Sequence, residues 1–156
     1  MSPRRVRPVI ALVVYVAMCA GCYGRNHIQH EGPYQFTAQQ IIRDDCGLQG
    51  GSTALWSGDM LISGDLIRIQ MDDRLYGMVA AGFFLYQVER FTLDGSATGV
   101  TAQVTGTNCQ VEMVQAHLDA TTDSASAFHG MGEVDFRTDQ INCACHLSVS
   151  FTASMQ

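Results

Sequence analysis

Residues 143–153 read CACHLSVSFTA, and the two-residue alternation of this segment constrains the fold more than any other feature of the chain. Cys143, Cys145, Leu147, Val149, Phe151 and Ala153 fall on one face, while Ala144, His146, Ser148, Ser150 and Thr152 fall on the other. Successive side chains of a strand point to opposite sides, so this pattern describes a strand with one face in a core and one in water. A helix would scatter both sets around its axis. The same period recurs in Phe128, Val134 and Phe136 on 126–137, in Val100, Ala102 and Val104 on 98–105, and in Ile67, Ile69 and Met71 on 65–71. Tyr34, Phe36, Ala38 and Ile42 predict a first strand, which Gln40 interrupts.

The punctuation between these runs predicts hairpins. Asp94-Gly95 sits between 83–93 and 97–106 and is a strong two-residue turn signal. Gly106-Thr107-Asn108 and Thr138-Asp139-Gln140 predict two further turns, and Ser-Gly-Asp, at 57–59 and again at 63–65, reads as a turn at both places. Along 83–93 the apolar register changes between Phe84/Tyr86/Val88 and Phe91/Leu93, which predicts a bulge, and 74–82 has room for a helical turn. Short strands with tight turns predict an all-β domain, a small antiparallel barrel of about eight strands, with a two-sheet β-sandwich as the alternative. The layout resembles small lipocalin-type barrels in architecture. The Gly-x-Trp signature of that family is not matched, because Trp56 follows Ala54-Leu55 on the expected second strand.

The first 22 residues, MSPRRVRPVIALVVYVAMCAGC, follow a different logic. Arg4, Arg5 and Arg7 precede an apolar run from Val9 to Met18, and Ala20-Gly21 stand directly before Cys22. This stretch resembles a bacterial lipoprotein signal, in which signal peptidase II cuts before a cysteine that carries diacylglycerol. Cys19 occupies the place where the family prefers an aliphatic residue. A spanning helix needs about 20 apolar residues, and 9–22 supplies only fourteen before Arg25. The resemblance implies a signal peptide over 1–21, a lipidated Cys22 with a polar tether over 22–33, and one domain over 34–156. It also implies a membrane partner reached through acyl chains at the cell envelope; Tyr23, rather than aspartate, after the cysteine implies the outer membrane.

Cysteine arithmetic agrees with export. Of six cysteines, Cys19 leaves with the signal and Cys22 takes lipid, so Cys46, Cys109, Cys143 and Cys145 remain, an even number for an oxidising compartment. Side chains at i and i+2 of a strand diverge from disulfide geometry, so Cys143 and Cys145 are expected to bond distant partners. Two orders stay open, 46–143 with 109–145 or 46–145 with 109–143. Antiparallel pairing of the first and last strands would bring all four to one rim. The alternation also places His146 opposite the two thiols, so no metal site is read from Cys143-Ala144-Cys145-His146.

Taking the three signal arginines from nine basic groups leaves six against fifteen acidic ones, a net charge near −9 with no lysine anywhere. Nucleic acid is bound by clustered cations and is therefore not an expected partner. Asp44-Asp45 and Asp72-Asp73 read as solvated acids in turns. No catalytic motif of a common enzyme class occurs, so no catalytic residue, metal or cofactor is assigned. His117 shares a face with Val111 and Met113 if the strand is regular, which points it inward beside Gln40; with Trp56 these are the candidate ligand-facing residues. The expected function is a non-enzymatic, lipid-anchored envelope protein binding a small hydrophobic ligand or an envelope protein. The alternatives are a structural or assembly factor without ligand and an enzyme of unfamiliar class.

Overall fold

A computed structural model describes residues 29–156. Eight strands follow one another: β1 (Gly32–Asp44), β2 (Ala54–Ser63), β3 (Leu66–Met71), β4 (Val79–Leu85), β5 (Arg90–Val104), β6 (Thr107–Ser124), β7 (Ala127–Arg137) and β8 (Cys145–Met155). A single 3-10 turn, Asp73–Leu75, lies between β3 and β4. Each strand pairs antiparallel with the next, and β1 pairs with β8, so the sheet closes into a barrel rather than splitting into a sandwich. Closure leaves no sheet edge among these strands. We call the end where β1 begins the base and the end where it finishes the rim.

The alternating positions fill the interior. Ile67, Ile69 and Met71 of β3, Phe128, Val134 and Phe136 of β7, and Leu147, Val149, Phe151 and Ala153 of β8 are all buried. Toward the base the filling is aromatic: the Phe128 ring lies 5.1 Å from Phe91, 5.2 Å from Tyr34, 5.6 Å from Phe36 and 6.2 Å from Phe151. These separations are those of rings in edge and tilted contact. The centre is therefore a packed core and not a calyx.

Four expectations change. Asp94-Gly95 is no turn: β5 runs straight through it, with Gly95 paired to Ala80 and to Ala116. A Cβ on Gly95 would stand 3.0 Å from the Val79 carbonyl oxygen, so close strand approach, and not a hairpin, favours glycine there. The chain turns instead at 86–89, where a bulge was expected, with Glu89 at φ 53°. Of the two Ser-Gly-Asp stretches, only 63–65 turns, while Gly58 lies inside β2. Ile42 faces outward, because the β1–β8 register shifts between Ala38 and Gln40 and again between Ile41 and Arg43. Finally, the folded body begins before residue 34, since Gln29 is buried against the base and β1 starts at Gly32.

One irregularity shapes the rim. At Gly99 (φ +63°) the buried side of β5 switches from Phe91 and Leu93 to Ala102 and Val104. On β6 it switches in step, from Leu118, Ala116 and Val114 to Val111 and Cys109. Only glycine enters this left-handed conformation without steric cost. Pairing of β6 with β7 ends at Met113, so the tip of the β5–β6 hairpin outruns its neighbour and bends over the rim. There the Thr105 amide donates to the Cys46 carbonyl at 2.9 Å.

Candidate functional site at the stapled rim

The rim gathers all four cysteines of the barrel. Cys46 bonds Cys145 and Cys109 bonds Cys143, the second of the two orders left open by the sequence. The first bridge ties the end of β1 to the start of β8; the second ties the overhanging hairpin to the loop before β8. The first member of each acidic pair is structural, while Asp45 and Asp73 are exposed. The Asp44 carboxylate accepts from the amides of Leu48 and Gln49, each at 3.0 Å, and so shapes the loop that follows β1. Asp72 caps the 3-10 turn by accepting from the Arg74 amide at 3.0 Å and reaches across to the Ser57 amide at 2.8 Å.

Between the hairpin tip, this loop, the 3-10 turn and β2 lies an open cavity of about 430 Å³. Its floor is apolar, from Leu48, Leu55, Leu75 and Leu147, and its upper walls carry Gln49, Arg74, Tyr76, Thr101 and Gln103. The Arg74 guanidinium donates to the Leu55 carbonyl, which fixes the cation at the mouth. Tyr76 packs edge-on to Phe136 at 6.1 Å, and burial raises its phenol above the ordinary value. Two of the lining residues each keep a polar atom, Trp56 Nε1 and Gln49 Oε1, buried with no hydrogen-bond partner among the described residues; Thr122 Oγ1, away from the cavity, is a third. The first is a donor and the second an acceptor, and each such group left unpaired costs about 1–3 kcal/mol.

Of the three residues expected to face a ligand, only Trp56 lines this cavity. His117 is a correction: it projects from the outer wall, with Nδ1 2.7 Å from Asp94 Oδ1. The face switch opposite Gly99 separates it from Val111, so the regular spacing that pointed it inward does not hold. Gln40 is likewise exposed, displaced by the first register shift of β1 against β8. His129 with Asp123 and His146 with Asp135 make similar outer-wall pairs at 2.7 and 2.8 Å. Among the described residues no three His, Cys, Asp or Glu side chains converge as a metal site. Cys22, with the expected signal and most of the expected tether, lies outside the described residues. Gln49, Arg74 and Tyr76 escaped sequence reasoning, since they sit in loops with no periodicity. Asp44 and Asp72, which anchor those loops, were the available signal.

Comparison of the chain with protein-family models, with curated proteins and with solved structures finds no match.

Proposed function

We propose that this protein is an exported, lipid-anchored envelope protein whose solid barrel displays a non-enzymatic binding site at its rim. Cys22 is the anchor in this reading, and the two disulfides are consistent with a secreted or envelope protein. The observation that carries the binding function is the open rim cavity of about 430 Å³, two of whose lining residues, Trp56 and Gln49, hold a buried donor and a buried acceptor without a partner. Buried polar groups are normally satisfied, and two of the three unpaired side-chain atoms among the described residues, the third being Thr122 Oγ1 on β6, belong to residues lining this cavity, which favours a bound molecule that supplies both partners. A small ligand of mixed polarity fits, with an apolar body on the leucine floor and both an acceptor and a donor. The aromatic filling of the interior argues against a purely hydrophobic ligand enclosed in the centre.

Trp56 is the sole tryptophan of the chain, so its fluorescence reports on this cavity alone. Native mass spectrometry of protein extracted from its own envelope in mild detergent should reveal a retained small molecule. Removing that molecule should shift the Trp56 emission, and adding it back should restore the original spectrum. Trp56→Phe, which deletes the donor and keeps an aromatic ring, should lower retention about tenfold, corresponding to roughly 1.4 kcal/mol. A protein with no retained mass, and an emission spectrum unmoved by envelope extracts, would return the rim to a purely structural role.

A further inference from the structure

We propose that the base of the barrel docks on the lipid surface that holds the Cys22 acyl chains, seating Leu61, Phe83, Leu85 and Val88 at the headgroup boundary. This inference rests on the anchor reading above. The four side chains are 59, 64, 54 and 55% exposed, far more than large apolar groups in a packed barrel wall need to be. Phe83 and Leu85 share the outer face of β4, and Leu61 stands two strands away, with the half-buried Leu66 and the exposed Arg68 of β3 between them. Phe83 pairs across Leu66 to Ser63, one step toward the base from the row that joins Leu61, Arg68 and Ala81. Leu85 and Val88 continue the patch into the β4–β5 turn at the base itself, where they line a shallow groove. A contiguous apolar surface of this kind marks a contact with something other than water.

The path of the chain selects the lipid surface as that contact. Gln29 is fixed beneath the barrel, its Nε2 donating to the carbonyls of Ser124 at 2.7 Å and Ala127 at 3.1 Å. The His30 amide donates to the Ala125 carbonyl at 2.7 Å. The chain thus enters at the β6–β7 turn, on the base. Six residues separate Gln29 from Cys22, and such a stretch spans at most about 25 Å even when fully extended. An acyl anchor at Cys22 therefore keeps the base, and not the stapled rim, next to the lipid. Anchor and patch sit on different sides of the same end, which gives two points of attachment and sets the tilt of the barrel. Asp65 and Glu89 flank the patch together with Arg68, opposite Leu61, and Arg90, opposite Leu85, so the bordering charges balance and the contact suits a zwitterionic surface rather than an anionic one.

The test uses full-length protein purified with its lipid and reconstituted into phosphatidylcholine vesicles with and without brominated acyl chains. Leu85→Trp places a reporter in the patch, and Ile141→Trp places one on an exposed loop at the rim. Brominated lipid should quench by about half the emission that Leu85→Trp adds to that of the native Trp56, as expected for a ring seated roughly 5–10 Å into the interface. It should leave Ile141→Trp and the native Trp56 unchanged. Equal quenching of the two reporters, on protein whose mass shows acylation at Cys22, overturns the docking and leaves the anchor standing. A mass without acyl chains overturns the anchor instead; quenching of Leu85→Trp after adding that protein to the same vesicles then decides the surface by itself. Replacing Phe83 with a photoreactive phenylalanine in intact cells should give lipid adducts. A protein adduct of fixed mass assigns the patch to a protein partner and refutes the lipid contact.

Discussion

The two ends of this barrel are closed by different physics. At the base, Tyr34, Phe36, Phe91, Phe128 and Phe151 fill the bore with rings, and Gln29 folds beneath them with its amide bonded to the β6–β7 turn. At the rim, the closing pieces are a loop shaped by Asp44, a 3-10 turn capped by Asp72 and a hairpin tip bent at Gly99. Loops and bends bury less apolar surface per residue than alternating strands, and the rim adds two covalent bonds. Where packing is dense there is no room for a ligand. Where covalent links replace part of the packing, a cavity persists. The difference teaches that the disulfides keep the loops around the cavity in place without filling it.

The sharpest way to break this contrast is to remove the staples. Cys46→Ser with Cys145→Ser opens a link across 99 residues, and Cys109→Ser with Cys143→Ser one across 34. Chain entropy puts the losses at about 4–5 and about 4 kcal/mol, to be read from urea unfolding. Hydrogen exchange should quicken first in 45–53 and 100–111 while the base strands stay protected. Equal acceleration at both ends would mean that the barrel is one cooperative block and that the distinction fails.

Next in size is Phe128→Ala, which removes the ring touching four other aromatic rings at the base. A loss of about 3–4 kcal/mol is expected, with both disulfides intact by peptide mapping and the Trp56 emission unchanged. A loss under about 1 kcal/mol would show that the base can collapse around the gap, and that it is packed more loosely than the ring contacts imply.

The smallest effect sharpens the comparison through pH. Burial raises the Tyr34 phenol at the base, where its hydroxyl donates to the His30 carbonyl at 2.9 Å; burial alone raises Tyr76 at the rim. A phenol whose folded pKa exceeds the unfolded one binds more protons in the native state. Its contribution is therefore complete below about pH 10 and is lost as pH rises above it. Urea midpoints at about pH 9 and pH 11 should fall between the two conditions, and Tyr34→Phe should reduce that fall. Tyr76→Phe should reduce it separately. If neither variant does, the alkaline loss has another source.

What the sequence determined by itself was everything carried by period: the all-β class, the inward faces of β3, β7 and β8, and the collection of four cysteines at one end. Alternation is local, and burial of one face leaves a strand a single choice of side. The disulfide order lay beyond it, since the alternation puts Cys143 and Cys145 on one face and either could have met Cys46, whereas β8 starts only at Cys145 and leaves Cys143 in the loop before it. So did the inside-or-outside fate of His117, Gln40 and Ile42. Register shifts in β1 and the Gly99 bend move side chains from one face to the other, and both depend on how neighbouring strands fit. Asp94-Gly95 carries the same lesson in reverse, a turn signal overridden because β4 needs to approach that glycine closely. The rim cavity belongs wholly to the tertiary structure, because its walls come from four segments that meet only once the barrel has closed.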